Sequence, residues 1–213
     1  MKPLLVIFRP RDLSEFLESQ RHIKIDKLWI NYYPQTEAFK IARDECLKTD
    51  YTHFLFIVDD NIITQNGIDL LLEDSKQYDV IGGWMNCDTT THKDDANISL
   101  SLPPNPPNRG RYEDYHLMTI KQIEGLLATN NNLITISYQG FALCLIKRKI
   151  LELIPFRDSH GCCPDSLFAL DLHEAVIKQY CDLRVRCKHL KVDDKPQTEL
   201  LQVGKKPAYI ELK

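Results

Sequence analysis

Long hydrophobic runs are missing from the amino-terminal end of this sequence. Leu4-Leu5-Val6-Ile7-Phe8 gives five apolar residues before Arg9, too few for a signal-peptide core or a membrane span. A cytoplasmic chain is expected, peripheral to a membrane only through a partner or a lipid. Neither sign of charge is in excess, since 27 Lys and Arg face 30 Asp and Glu for a formal net charge of -3. That balance gives no bulk electrostatic reason to bind nucleic acid or an anionic surface. Lys147-Arg148-Lys149 is a local exception and reads as a solvated helix start. The seven cysteines are odd in number and lack paired CxxC spacing, which argues against a disulfide framework. Cys162, Cys163, Cys187, His160 and His189 show no finger spacing either, so a zinc site is disfavoured and most thiols are expected in or near the core. Glycine is absent between Leu4 and Asp12, which leaves the first strand without a Gly-rich phosphate loop.

What is present is an α/β rhythm. The chain of 213 residues, 43% hydrophobic and 27% charged, is long enough for one substantial core. Apolar runs at Leu4 to Phe8, Lys27 to Tyr33, His53 to Val58 and Asp79 to Trp84 alternate with helical patterns at Asp12 to Ser19, Thr36 to Lys48 and Asn66 to Lys76. Residues 88–115 turn polar around a Pro-rich centre and predict a long flexible loop, the kind of segment that is either mobile or a lid and binding loop. Beyond it the pattern predicts a helix over 118–127, a strand over 133–138, an apolar strand over 140–146 after a glycine turn and a helix over 147–154. A helix over 165–179, a strand over 183–187 and a charged tail from about 191 complete the chain. A single domain spanning 1–213 is expected.

The most informative stretch is Phe54-Leu55-Phe56-Ile57-Val58-Asp59-Asp60-Asn61. A strand of this composition wants cover on both faces, so its carboxyl end emerges where parallel sheets bind ligands. Adjacent carboxylates there repel unless a cation or hydrogen-bond donors neutralise them. Hard divalent ions keep one or two protein carboxylates and fill their other positions with water and phosphate oxygens. The pattern therefore points to a metal-bound phosphate compound, with a strand end followed by an Asx turn as the plain alternative.

The order of features resembles that of small GT-A type glycosyltransferases, similar to the family 2 enzymes that use nucleotide-diphosphate sugars. The resemblance rests on the DxD-like Val58-Asp59-Asp60-Asn61, the apolar Gly140 to Ile146 followed by Lys147-Arg148-Lys149, Asp165-Ser166-Leu167-Phe168 with Asp171-Leu172 inside the same helix, and Val185-Arg186-Cys187-Lys188-His189-Leu190. It covers about residues 3 to 190. It implies a Rossmann-like mixed sheet flanked by helices, a nucleotide-diphosphate sugar as donor, a carbohydrate, lipid or protein hydroxyl as acceptor, and Mn²⁺ or Mg²⁺ as cofactor, with imidazole favouring Mn²⁺.

The resemblance also implies roles for residues. Asp59 and Asp60 would meet the nucleotide and its metal; Asp60, Asn61 and His189 would ligate the metal. Asn61 stands where the family pattern has an acid, and supplies an oxygen without charge. Asp165 would be the general base of an inverting displacement, with Asp171 as second choice; an ordinary helix N-cap is the plain reading of Asp165. Arg43, in an Ala-Arg pair, is a candidate phosphate contact or a solvent-facing helix residue. Arg9, Asn31 and Tyr32 or Tyr33 close the first two strands, where base and ribose would lie; Gly82, Gly83 and Trp84 would face the sugar or form a tight turn with a buried Trp. A sugar-phosphate nucleotidyltransferase and a non-catalytic binding module on the same fold are the competing classes.

Overall fold

A computed structural model describes residues 1–87, 92–103, 115–157, 164–190 and 200–213. Its frame is a mixed sheet that begins with β1 (Pro3–Arg9), β2 (Asp26–Asn31) and β3 (His53–Val58). These run parallel with β1 in the middle. Leu4, Leu5, Val6 and Ile7 are fully buried, as expected of a strand covered on both faces. Burial of each such side chain contributes roughly 1.5–3 kcal/mol.

The two faces follow the period of two along a strand. Leu4, Val6 and Phe8 pack with Ala38, Phe39, Ala42 and Cys46 of α2 (Gln35–Lys48), with Ile150 and Leu151 of α5 (Arg148–Leu153), and with Phe168 and Leu172 of α6 (Pro164–Glu174). Leu5 and Ile7 face Phe16 of α1 (Ser14–Ser19) and Ile68 and Leu71 of α3 (Gln65–Asp74). The sheet continues through β10 (Cys144–Lys147), antiparallel to β3, then β5 (Val80–Met85), and β11 (Gln179–His189), parallel to β5. The two-residue β4 (Asn61–Ile62) pairs with the end of β11, and β8 (Leu133–Ile136) with its start. The expected α/β class, a central mixed sheet flanked by helices, is the architecture observed.

Several boundaries depart from the sequence expectations. Residues 88–115 do not form one uninterrupted loop: β6 (Asp95–Ser99) lies within them and joins β7 (Leu117–Thr119) and β9 (Tyr138–Gln139) in a small second sheet. Ala96 and Ile98 enter the core, while the buried Asn97 accepts from the Met85 amide at 2.7 Å and donates to the Gly140 carbonyl at 3.1 Å. Its polarity disguised a buried strand. The Pro-rich centre, 104–114, lies outside the described residues.

The predicted strand over 133–138 divides between the two sheets at Ser137. The helix expected from 118 starts at Ile120, α4 (Ile120–Ala128), because Thr119 and Gln122 form a capping box. Gly82 and Gly83 are inside β5 and make no turn. A Cβ at Gly82 would stand 2.5 Å from the Leu143 carbonyl oxygen, and one at Gly83 2.4 Å from that of Val185, so close backbone approach demands both glycines. Trp84 is buried and its indole N–H donates to the Leu183 carbonyl at 2.8 Å. The predicted helix 165–179 ends sooner, with Val176 in the left-handed region at φ 58°, and β11 begins at Gln179. Residues 200–213 are not simply a charged tail. They cross the sheet end and add β12 (Tyr209–Leu212) antiparallel to β2.

Candidate functional site

Strand order places the site. The chain leaves β1 for β2 on one side and reaches β3 on the other, so β1 and β3 border a switch point at their carboxyl ends, where open α/β sheets leave a crevice. Arg9 pairs in register with Asn31, and Phe8 with Val58, so all three strands stop together. The crevice is a cavity of about 360 Å³ whose lining includes Phe8, Ile30, Tyr33, Phe39, Leu201 and Val203, with Arg9, Arg11 and Asp60 as its charged members. Its size suits a small organic ligand, and its apolar walls suit a flat ring.

Asp59 and Asp60 follow β3 directly and are brought together with a residue the sequence reading did not select, Arg11. The Arg11 amide donates to Asp59 Oδ2 at 2.7 Å, its Nε donates to Oδ1 at 2.9 Å, and its Nη2 reaches Asp59 Oδ1 at 2.5 Å and Asp60 Oδ2 at 2.7 Å. Asp59 is fully buried and Arg11 is 4% exposed. A guanidinium shared by two carboxylates supplies the neutralisation that the sequence demanded. Burial opposes ionisation of Asp60, but His189 and Arg11 outweigh it and hold the carboxyl below its ordinary value. Burial lifts Asp59 to about 6, with Arg11 limiting the rise. The available signal was Pro10-Arg11, a basic residue just past the strand end.

The expected metal ligands also meet. Asn61 and His189 are register partners between β4 and β11. Asn61 donates to Asp60 Oδ1 at 2.7 Å, and His189 Nε2 stands 3.8 Å from Asp60 Oδ2. Asn61 Oδ1 and His189 Nδ1 are buried without a partner, a costly state for polar atoms. An acid oxygen, an amide oxygen and an imidazole nitrogen suit a divalent ion of the Mn²⁺ kind, so the residues present fit the group that the resemblance implies. Among the described residues no three His, Cys, Asp or Glu side chains form a metal-holding group by themselves; Asn61 is needed. His160, Cys162 and Cys163 of the disfavoured zinc set lie outside the described residues.

At the other rim, Arg9 donates to Asn31 Oδ1 at 3.2 Å and pairs with Asp12. Asp12 also receives the Tyr32 hydroxyl at 2.8 Å and pairs with Lys206. It therefore anchors this corner and does not open α1, which starts at Ser14. Tyr32 holds φ 62°, a strained conformation for a bulky residue that costs roughly 1–3 kcal/mol. The turn sends its ring towards Tyr209, with centroids 5.9 Å apart, and beneath Lys206. Tyr33 is left to line the cavity. The segment 200–213 is tied down by these contacts and by Gln202, whose amide donates to the Pro10 carbonyl at 2.8 Å, and so supplies Leu201 and Val203 as a wall.

Asp165 lies beside the turn after β9. It accepts from the Ser166 amide at 2.8 Å and from the Tyr138 hydroxyl at 3.4 Å. Burial raises its pKa to about 6 against these donors. Its neighbour Phe141 stacks on Phe39 at 5.2 Å, which links this carboxyl to the cavity wall through one aromatic layer. Asp171 points elsewhere, in a two-pronged ion pair with Arg157 at 2.6 and 2.8 Å. Arg43 is likewise not gathered at the cavity. Its Nε donates to the Leu151 carbonyl at 2.8 Å and satisfies the end of α5, as basic side chains do for exposed helix carbonyls. Of the expected site residues Arg9 and Asp60 line the crevice; Asn31 and Asp59 are buried behind them, Asn61 and His189 contact Asp60 from β4 and β11, and Asp165 lies a ring away.

No family model matches the chain, and no curated protein matches it by sequence. Solved structures do match in shape. A197 from STIV superposes with a TM-score of 0.59 at 18% identity over 90% of this chain and 86% of that one. GalNAc-T7, solved with UDP, GalNAc and Mn²⁺, superposes with a TM-score of 0.61 at 10% identity over 92% of this chain and 45% of that one. At such identities the likeness is one of fold: the chain has a GT-A-like mixed α/β fold.

Proposed function

We propose that this protein transfers a sugar from a nucleotide-diphosphate sugar to a hydroxyl acceptor, with inversion and with help from a divalent metal. The observation that carries the reading is the crevice itself, a cavity that runs from Tyr33 and Phe39 to Arg11 and Asp60, with Asp59 buried behind them. A nucleoside fits the apolar part and a diphosphate the charged part. The neighbour solved with UDP and Mn²⁺ supports the choice of ligand class.

Asp60, Asn61 and His189 would hold the metal, whose chemistry is to offset charge gathering on a departing diphosphate. Arg11 adds a fixed positive charge at the same end and needs no reorganisation to act. Arg9, fixed by the buried Asn31, lines the cavity and would face the ribose or a phosphate oxygen. Asp165, with a pKa near 6, is ionised at neutral pH yet basic enough to take the proton of an acceptor hydroxyl as the new bond forms. Asp171, neutralised by Arg157, is the weaker candidate for that step.

Arg11 favours a second reading, a binding module that holds a nucleotide without metal or transfer, since the carboxylates already have their cation. Calorimetric titration of UDP and GDP in Mn²⁺ and in EDTA, on the native chain and on Asp60→Ala and Asp60→Asn, separates the two. Micromolar binding that requires Mn²⁺ and falls at least about tenfold in both variants supports the transferase. Binding indifferent to EDTA supports the module, and no binding of either nucleotide sinks both readings.

A further inference from the structure

A second cavity, about 480 Å³, lies on the other side of Arg9, between β2, the turn after α1 and β12. Nothing in the proposed transfer uses it. Three of its lining residues carry buried polar atoms with no partner in the protein: Arg9 Nε, Trp29 Nε1 and Gln20 Oε1. Gln20 is 3% exposed and Trp29 8%. A buried donor or acceptor left unpaired costs about 1–3 kcal/mol, so three around one cavity signal a group that satisfies them together.

The charge of the rim says what kind of group. Arg9, Arg21, Lys24, Lys27 and Lys213 line the cavity against Asp26 and Glu211. Part of that charge is engaged locally: Arg21 pairs with Glu18 at 2.7 Å, Lys213 with Glu211 at 2.8 Å, and the Lys27 ammonium donates to the Ile23 carbonyl at 2.8 Å. The remaining field is positive. Two donors, Arg9 Nε and Trp29 Nε1, ask for an anionic oxygen, and the acceptor Gln20 Oε1 asks for a hydroxyl.

We infer that this cavity binds a phosphate ester that also carries a hydroxyl, either a free sugar or polyol phosphate or the headgroup of a phospholipid. The phosphate takes the donors of Arg9 and Trp29 under the field of Lys24, with Lys213 shared with Glu211 at the rim, and the hydroxyl donates to Gln20. Arg9 lines both cavities, so the ligand sits against the residue that fixes Asn31 at the first.

The indole N–H signals of Trp29 and Trp84 report on the site directly in an NMR titration of the full ¹⁵N-labelled chain, with Trp29→Phe giving the assignment. The probe is glycerol 3-phosphate, with inorganic phosphate in parallel, and phosphatidic acid vesicles in a sedimentation arm. Saturable movement of the Trp29 signal while Trp84 stays fixed, with the midpoint raised at least about tenfold in Lys24→Glu/Lys213→Glu, is the expected result. Co-sedimentation with vesicles, lost in the same double variant, assigns the ligand to lipid headgroups; soluble binding alone assigns it to free phosphate esters. The inference is overturned if Trp29 does not move by about 10 mM of either soluble probe and no vesicle binding occurs. It is equally overturned if both tryptophans move alike or the double variant binds unchanged, because the response then comes from elsewhere. UDP binding at the first cavity is scored separately, so failure here leaves the transferase reading standing.

Discussion

Two aspartate pairs, each attended by an arginine, stand at opposite ends of β11. At its carboxyl end, Arg11 bridges Asp59 and Asp60 at 2.5 and 2.7 Å, and His189 and Asn61 complete the group. At its start, Arg184 binds Asp182 at 2.7 Å but stands 3.9 Å from Asp74. Burial, together with the hydrogen bond and charge of Asp182, lifts Asp74 to about 6. The first centre is buried, fully bridged and open to a cavity. The second has a half-exposed arginine and leaves one acid poorly served. Composition is nearly the same in both, so the difference lies in where the fold sets the cation. The bridging cation, with His189, holds Asp60 below its ordinary value although burial lifts Asp59 to about 6; the flanking cation leaves Asp74, also lifted to about 6, without a bridge.

Removal of the cation tests the contrast most strongly. Arg11→Ala leaves the fully buried Asp59 uncompensated, with Asp60 served only by His189 and Asn61, and is expected to cost about 3–5 kcal/mol in urea denaturation, whereas Arg184→Ala, at a side chain 42% exposed, is expected to cost about 1 kcal/mol or less. Equal losses would erase the distinction between the centres.

Catalysis should be indifferent to the second centre. Asp165→Asn is expected to lower kcat by about 10²–10⁴ with nucleotide affinity little changed, while Asp182→Asn alters stability alone. In the native chain kcat/KM should rise with pH through about 6 as Asp165 loses its proton. A profile that is flat from pH 5 to 7, measured with a saturating donor, would remove Asp165 from the role of base.

The smallest effect concerns Asp74. Its folded pKa, about 6, is above the unfolded value near 3.9, so the folded state holds the proton more tightly. The associated stabilisation is complete below about pH 4 and lost as pH rises through about 6. Asp74→Asn should flatten this part of the stability profile and raise Tm at pH 7 by about 2–4 °C, which corresponds to about 1 kcal/mol after allowance for solvent screening. A variant with the native pH slope would place the proton elsewhere.

Much of the ligand edge was legible in the chain because strand period and burial are local properties. His53 to Val58 reads as a doubly covered strand, and the acids that follow it must emerge at the sheet end; the structure sets Asp59 and Asp60 there. Asn97 was not legible. Its polarity argued for a loop, yet in β6 it is buried and paid for by Met85 and Gly140. The position of Arg43 against α5 was illegible for a related reason, since helical spacing states which face a residue occupies but not that α5 ends against it.

Local chemistry in the sequence therefore determined the α/β class, the parallel core of β1 to β3, and an acidic end to β3 in need of a cation. Tertiary structure decided which cation answers. Arg11 and Asp59 are separated by 48 residues and meet because β1 and β3 pair in register. It also decided that Tyr33 and not Tyr32 faces the cleft, that residues 200–213 wall it, and that His189 comes to Asp60, because each of these depends on long-range strand pairing that no short window of residues contains.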